Sequence, residues 1–106
     1  MAKQTTVLWT RPALDSLLEI VQYIQIDSPP AAKRLAAQIK TKTSPLERFP
    51  TSGRVVQEFP GSGLREILIG NYRIIYRVVK EPSRVEILTV RHGARLLEEH
   101  PETEGK

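Results

Sequence analysis

Residues 64–90 read LREILIGNYRIIYRVVKEPSRVEILTV and set the architecture predicted for the whole chain. Strand-forming residues fill three runs of this stretch, at Leu64–Ile69, Tyr72–Val79 and Val85–Val90. Gly70-Asn71 separates the first two runs and suits a tight hairpin, because glycine and asparagine tolerate positive φ. Five residues around Pro82 separate the second run from the third. The stretch therefore predicts three consecutive antiparallel strands.

The sequence before this stretch begins with a short strand and then takes the period of a helix. Thr5–Trp9 is the strand-like run. Thr10 and Pro12 then provide a cap and a first-turn proline for a helix that extends to about Gln25. Its apolar residues recur at steps of three and four, as an amphipathic helix requires, at Leu14, Leu17, Leu18, Val21 and Ile24.

A second helix follows directly. Asp27-Ser28-Pro29-Pro30 ends the first helix and opens the second, because proline cannot continue a helix but suits its first turn. The apolar stripe of the second helix runs from Ala32 to Ile39, and Ser44-Pro45 is predicted to interrupt it ahead of a loop at Phe49–Gly53. A connection this short predicts an antiparallel helical hairpin.

These elements predict an α+β fold, with an antiparallel sheet of about four strands and the N-terminal helical hairpin packed on one face. The other face is expected to be open to a partner. We expect a single domain at residues 1–97 and an acidic, flexible tail at residues 98–106. Since no run is long enough to span a membrane and cysteine is absent, we expect a cytoplasmic protein. His92 and His100 lie outside any ligand-spaced cluster, so no metal or cofactor is expected.

Arginine dominates the charge of the second half. Residues 54–95 carry eight Lys/Arg against four Asp/Glu, and seven of the eight are arginine. Alternation places Arg73 and Arg77 on one face of their strand, where Arg65 joins them if the register allows. Such a set suits an anionic partner, whether phosphate or carboxylate. The alternative is that the arginines pair with the chain's own carboxylates and merely solvate the sheet, the candidates being Glu58, Glu66 and Glu86.

Several short motifs, weak alone, occur in an order and spacing that are specific together. They are Val7-Leu8-Trp9-Thr10, Leu17-Leu18-Glu19-Ile20, Ser28-Pro29, Leu46-Glu47-Arg48-Phe49-Pro50, Gly53-Arg54, Leu64-Arg65-Glu66, Asn71-Tyr72-Arg73-Ile74-Ile75-Tyr76-Arg77-Val78 and residues 85–95. On these motifs the chain resembles the ParE/RelE family of bacterial toxins over about residues 7–97. The resemblance implies a RelE-like toxin fold. It also implies a type II toxin that is neutralised by a cognate antitoxin, whose extended segment wraps the helices and sheet.

The resemblance leaves two targets open. ParE-like members inhibit DNA gyrase and have no nuclease activity, whereas RelE-like members cleave mRNA in the ribosomal A site. The long helical hairpin, the loop from Phe49-Pro50 to Gly53-Arg54 and the ending His92-Gly93-Ala94-Arg95 are more similar to the ParE side. Inhibition of gyrase is therefore the favoured function, and an mRNA interferase is the alternative.

The nuclease site of RelE-like members matches this chain only in part. Arg73 matches an arginine of that site, Arg65 stands where a catalytic lysine is found, and Arg95 matches an arginine near the last strand. His92 resembles the histidine that other nuclease branches use. Glu66-Ile67 occupies the place of a second lysine, and the tail has no tyrosine. The candidate catalytic residues, only if the chain is an endoribonuclease, are Arg65, Arg73, His92 and Arg95. The candidate contacts for a target or antitoxin are Arg65, Arg73, Arg77, Arg91 and Arg95.

Overall fold

The computed structural model describes residues 5–93, and the predicted α+β architecture is confirmed. In chain order the elements are β1 (Thr6–Trp9), α1 (Arg11–Asp27), α2 (Pro29–Thr43), a 3₁₀ helix (Ser44–Glu47), β2 (Arg54–Val55), β3 (Leu64–Ile69), β4 (Tyr72–Lys80) and β5 (Ser83–His92). Neither of the two α-helices in this range is long and apolar enough to cross a membrane. The predicted acidic tail lies outside the described residues.

The sheet has five strands in the order β1-β5-β4-β3-β2. Strands β3, β4 and β5 pair antiparallel, as the sequence predicts; β2 pairs antiparallel to β3, and β1 pairs parallel to β5. A parallel pair needs a long crossover, which the intervening helices and strands provide here. The fifth strand is Arg54–Val55, which the sequence prediction missed. Two residues are too few to show the alternation by which a strand is detected.

Ser28 sets the bounds of both helices. Its backbone N–H donates to the Ile24 carbonyl (2.8 Å) and closes α1 two residues beyond the predicted end. Its side-chain oxygen accepts from the Ala31 N–H (3.2 Å) and opens α2. One residue therefore caps two helices, and no further residue separates α1 from α2.

Thr10 fastens the start of α1 to the middle of the sheet. Its hydroxyl oxygen accepts from the Ala13 N–H as the helix cap, and the hydroxyl donates to the Ile87 carbonyl on β5 (2.7 Å). Ala13 is fully buried beneath this contact. The first turn of α1 is therefore held on β5, and the hairpin lies over one face of the sheet.

The core fills the space between the hairpin and the sheet. The helices contribute Ala13, Leu35 and Ile39, and the 3₁₀ helix contributes Leu46. The sheet contributes Ile69, Ile74, Tyr76, Val85, Ile87 and Val90. Trp9 and Tyr72 are partly buried against this cluster.

A β-bulge keeps the inward residues of β4 and β5 aligned. Ile75 pairs with Thr89 but Tyr76 pairs with Ile87, so Leu88 is an extra residue on β5. Without this extra residue, either Ile87 or Val90 would turn away from the core. The bulge therefore preserves the division of the sheet into an inner face against the helices and an outer face.

The hydroxyl of Tyr76 ties the loop after α2 to the core. It donates to the Pro50 carbonyl (2.8 Å) and accepts from the Gly53 N–H (2.9 Å). Burial raises the pKa of Tyr76, so the hydroxyl remains a proton donor. A Cβ at Gly53 would lie 2.6 Å from the Tyr76 oxygen and 2.8 Å from the Glu66 carbonyl. Only glycine fits at this crossing.

Gly53→Ala is expected to lower the free energy of unfolding by about 1–3 kcal/mol, because the new methyl group must displace the Tyr76 hydroxyl or the β3 backbone. Urea unfolding followed by circular dichroism measures the change. Thr51→Ala, in the exposed part of the same loop, is the control and is expected to stay within about 0.5 kcal/mol of the parent. Equal stability of the two variants would show that the loop is not pinned at Gly53.

Candidate functional site

The outer face of the sheet carries most of the arginines predicted to form a site. Arg73 lies opposite Leu68 on β3 and Arg91 on β5, and Arg77 lies opposite Leu64 and Glu86. Residues that pair across neighbouring strands share a face, so these arginines project away from the helices. Alternation along β4 therefore places Arg73 and Arg77 together, as predicted from the sequence.

Arg73 is buried within a network of carboxylates. Its Nε donates to Glu66 (2.7 Å), and its two terminal nitrogens donate to the two oxygens of Glu58 (2.8 and 2.9 Å). Only 8% of the Arg73 side chain and 1% of the Glu66 side chain are exposed. The second oxygen of Glu66 accepts from Arg54 on β2 (2.6 Å). In this network the two positive charges of Arg54 and Arg73 are balanced by the two negative charges of Glu58 and Glu66.

The carboxylates fix the protonation of Arg73. Hydrogen bonds from the guanidinium to Glu58, and then to Glu66, outweigh desolvation and raise the pKa of Arg73 above its ordinary value. The group is therefore a permanent cation and cannot act as a general base. Its charge is also already matched, which limits what it can offer to a phosphate group.

A second network occupies the other end of the outer face. Glu86 accepts from Arg77 on β4 and from Arg84 on its own strand, at 2.7 Å in each case. The hydrogen bond from Arg84, followed by that from Arg77, lowers the pKa of Glu86. Together with the Arg73 network, this pairing confirms the alternative in which Glu58, Glu66 and Glu86 hold the arginines.

Arg65 does not join Arg73. It lies opposite Tyr76 and therefore belongs to the inner face, where its terminal nitrogen donates to the Gly53 carbonyl (2.8 Å). The condition set from the sequence, a register that places Arg65 beside Arg73, is not met. The reason is that β3 pairs with β4 so that Leu68, rather than Arg65, faces Arg73.

His92 ends β5 on the inner side. It lies opposite Tyr72, and the two rings meet edge to face with centroids 5.4 Å apart. Beside them a groove of about 350 Å³ is lined by Glu19, Ile20, Tyr23, Tyr72 and His92. Arg91 precedes His92 on the outer face, opposite Arg73. Arg95 lies outside the described residues.

The candidate catalytic residues are thus distributed over both faces of the sheet. Arg73 faces outward, whereas Arg65 and His92 belong to the inner side. An open cavity of about 610 Å³ does lie over Arg73, but its charged lining is the paired set Arg54, Glu58, Glu66 and Arg73. Within residues 5–93, no cluster of three or more His, Cys, Asp or Glu could hold a metal ion.

The sequence reasoning overlooked a group of unpaired cations on α2. This helix carries Lys33, Arg34, Lys40 and Lys42 and no acidic residue, and all four side chains are exposed. In the described part of the chain none of the four forms an ion pair. The absence of any Asp or Glu from Pro29 to Leu46 was the available signal, because a helical lysine is usually neutralised from three or four residues away.

Comparison with known proteins finds similarity over almost all of the described chain. A family described as "ParE toxin of type II toxin-antitoxin system, parDE" matches residues 7–97. Y4kP, a predicted toxin of Sinorhizobium fredii, is 41% identical over 91 residues, which cover 82% of this chain and 86% of Y4kP. Toxin RelE2 of Caulobacter vibrioides is 37% identical over 90 residues, which cover 85% of this chain and 97% of RelE2.

Two solved structures share the fold. One is a chromosomal ParDE system from P. aeruginosa, with a TM-score of 0.68 and 20% identity over 83% of this chain and 95% of that one. The other is the toxin–antitoxin complex RelBE2 from Mycobacterium tuberculosis, with a TM-score of 0.60 and 29% identity over 84% of this chain and 98% of that one. At 20% identity the first likeness concerns the fold alone.

Arg73→Met is expected to lower the free energy of unfolding by about 3–5 kcal/mol, because it takes one cationic partner from the buried Glu66 carboxylate and removes the two Arg73 hydrogen bonds from Glu58. Arg77→Met is the matched control on the same strand and face. Because 56% of the Arg77 side chain is exposed, its loss is expected to be below about 1 kcal/mol. Urea unfolding compares the two, and equal losses would contradict the burial of the Arg73 network.

The Glu86 network predicts a pH-dependent contribution to stability. Because the pKa of Glu86 is lowered in the folded chain, its contribution is complete above the ordinary value of 4.5 and is lost as the pH falls through the lowered folded value. The stability difference between the parent and Glu86→Gln is therefore expected to shrink as the pH is lowered from 7 to below 4.5. Unfolding midpoints across this range measure it. A difference that stays constant would exclude the predicted linkage.

Proposed function

Because this chain belongs to the ParE toxin family of type II toxin–antitoxin systems, we propose that it stops growth by inhibiting DNA gyrase, without cleaving RNA. Its cognate antitoxin neutralises it by binding, and its site of action is the cytoplasm, where gyrase works. The observation that carries this choice is the state of Arg73. The arginine that corresponds to the nuclease site is buried and neutralised by Glu58 and Glu66.

RNA cleavage through the ribose 2′-hydroxyl makes demands that this arrangement meets poorly. The reaction needs a base, an acid for the leaving group, and cations for the charge that develops on phosphorus. The Arg73 guanidinium would have to release Glu58 before it could bind a phosphate. Arg65 donates to the Gly53 carbonyl on the other side of the sheet. Inhibition of a protein target requires no such convergence, which supports the gyrase proposal.

The antitoxin is expected to cover the apolar surface of α1. Leu14, Leu18, Tyr23 and Ile26 are 48–84% exposed, although all four are large hydrophobic residues. Several large exposed apolar side chains on one helix are typical of a protein-binding surface. A partner helix or extended segment can bury them together, which accounts for their exposure in the isolated chain.

An mRNA interferase is the second candidate, and the surroundings of His92 favour it. His92 is exposed at the end of β5, beside the groove lined by Tyr23 and Tyr72. A histidine can transfer protons near neutral pH, and aromatic rings can stack on an unpaired base. The relative RelE2 is named for the RelE side of the family, which supports the same alternative.

Controlled expression of the chain in bacteria separates the two functions. We expect incorporation of labelled thymidine to fall and chromosomal breaks to accumulate before incorporation of labelled methionine declines. Purified gyrase is expected to lose supercoiling activity when the chain is added. Co-expression of the cognate antitoxin serves as the control and is expected to restore growth.

The opposite pattern would overturn the gyrase proposal. If protein synthesis stops first and primer extension finds new mRNA ends while supercoiling is spared, the chain is an interferase. His92→Ala would then lower cleavage by at least about a hundredfold, since that is the usual contribution of a general acid or base. Lys80→Ala, an exposed change at the end of β4, is the matched control and would leave cleavage unchanged.

A further inference from the structure

We propose that the exposed side of α2 binds the phosphate backbone of duplex DNA through a basic stripe that consists of Lys33, Arg34 and Lys40. This inference is independent of gyrase inhibition, because it concerns direct contact between the toxin and DNA. It rests on three observations: the stripe forms no ion pair within residues 5–93, its members occupy exposed positions of one helix, and large apolar residues are absent from those exposed positions.

The charge of the chain is divided unevenly among its surfaces. On the outer face of the sheet, Arg73, Arg77 and Arg84 are paired with carboxylates. Helix α1 carries Asp15, Glu19 and Asp27 against Arg11 alone. Helix α2 carries four cations and no anion. Unpaired positive charge is therefore concentrated on α2, where a polyanion gains most by binding.

The positions on α2 suit contact with a repeating row of charges. Lys33 and Lys40 are seven residues apart, which places them on the same side of the helix about 10 Å apart along its axis. Arg34 lies about 100° further around the helix from Lys33 and is also exposed, whereas Leu35 and Ile39 are buried. Ala37 lies between Lys33 and Lys40, and its small side chain permits close approach of a phosphate backbone.

The composition of this side favours a nucleic acid over a protein partner. Stable protein interfaces are anchored by large buried side chains, and aromatic residues are common among them. The large exposed hydrophobics of the hairpin, which are Leu14, Leu18, Tyr23 and Ile26, all belong to α1. The exposed residues of α2 are charged, polar, alanine or proline. Such a surface can attract phosphates but offers a protein no apolar anchor.

The shape of α2 favours DNA over double-stranded RNA. Ten of its fifteen residues are exposed, while Ala32, Leu35, Ile39 and Thr43 pack against the rest of the chain. The major groove of B-form DNA is wide enough to admit the exposed side of an α-helix. The major groove of A-form RNA is deep and narrow, and side chains cannot reach into it. A basic helix that is exposed along most of its length is therefore better matched to the DNA duplex.

Fluorescence anisotropy with a fluorescein-labelled DNA duplex of mixed sequence tests the proposal. The toxin is released from its antitoxin, and binding is measured over a series of salt concentrations. The variant Lys33→Gln/Lys40→Gln is compared with Arg11→Gln/Lys80→Gln, which removes the same two charges from exposed positions elsewhere. Circular dichroism verifies that both variants keep the parent's helix content.

We expect the α2 variant to bind DNA roughly tenfold or more weakly at about 0.1 M salt. The slope of log affinity against log salt concentration is expected to fall in magnitude by about two, one for each lost phosphate contact. The control is expected to retain the parent's slope, and Lys33→Arg/Lys40→Arg is expected to bind as the parent does.

Three outcomes would overturn the proposal. Absence of saturable DNA binding by the parent would exclude the contact. Equal loss in the α2 variant and its control would mean that only net charge attracts the duplex. Tighter binding to duplex RNA, or equally tight binding to a polyglutamate peptide, would assign the stripe to a different class of partner.

Discussion

A carboxylate that is removed from water must be matched by cations, and Glu66 imposes this constraint on the outer side of the sheet. It accepts from Arg73 on the next strand and from Arg54 on the edge strand, so it joins β2, β3 and β4. Arg73 in turn holds Glu58 and thereby the loop that precedes β3. The same hydrogen bonds therefore hold β2, β3 and β4 together and neutralise the charges of Arg54, Glu58, Glu66 and Arg73.

While Arg73, Arg77 and Arg84 pair with carboxylates on the sheet, the two helices present different surfaces. Helix α1 presents exposed leucines, a tyrosine and an isoleucine, whereas α2 presents unpaired cations. A protein partner and a polyanion are thus suited to different helices of one hairpin. The family to which the chain belongs is defined by toxins that act on one partner and are held by another, and separate surfaces serve such a role.

Much of the fold follows from local patterns in the sequence. The cap at Thr10, the break between the helices at residues 27–30, the period of α1 and the alternation of β4 depend on neighbours within a few residues, and each was predicted. The fifth strand and the parallel pairing of β1 depend on partners that are distant along the chain. The Leu88 bulge is likewise set by the match between two strands and has no signature of its own.

The candidate site shows the same division. Alternation correctly grouped Arg73 with Arg77, but the place of Arg65 depended on a register that the sequence does not encode locally. The sequence left two states open for the arginines: binding to an anionic partner, or pairing with Glu58, Glu66 and Glu86. It could not decide between them, because pairing depends on which strands lie side by side. The unpaired cations of α2 have no motif of their own. Their only signal in the sequence is the lack of Asp and Glu between Pro29 and Leu46.

The shared cap at Ser28 has a mechanical consequence. With no loop residue between α1 and α2, the hairpin has no hinge at its tip, and α1 is fastened to β5 at its other end through Thr10. The single connecting residue therefore restricts how far the angle between the two helices can change. A molecule seated on either helix affects access to the other through its bulk alone.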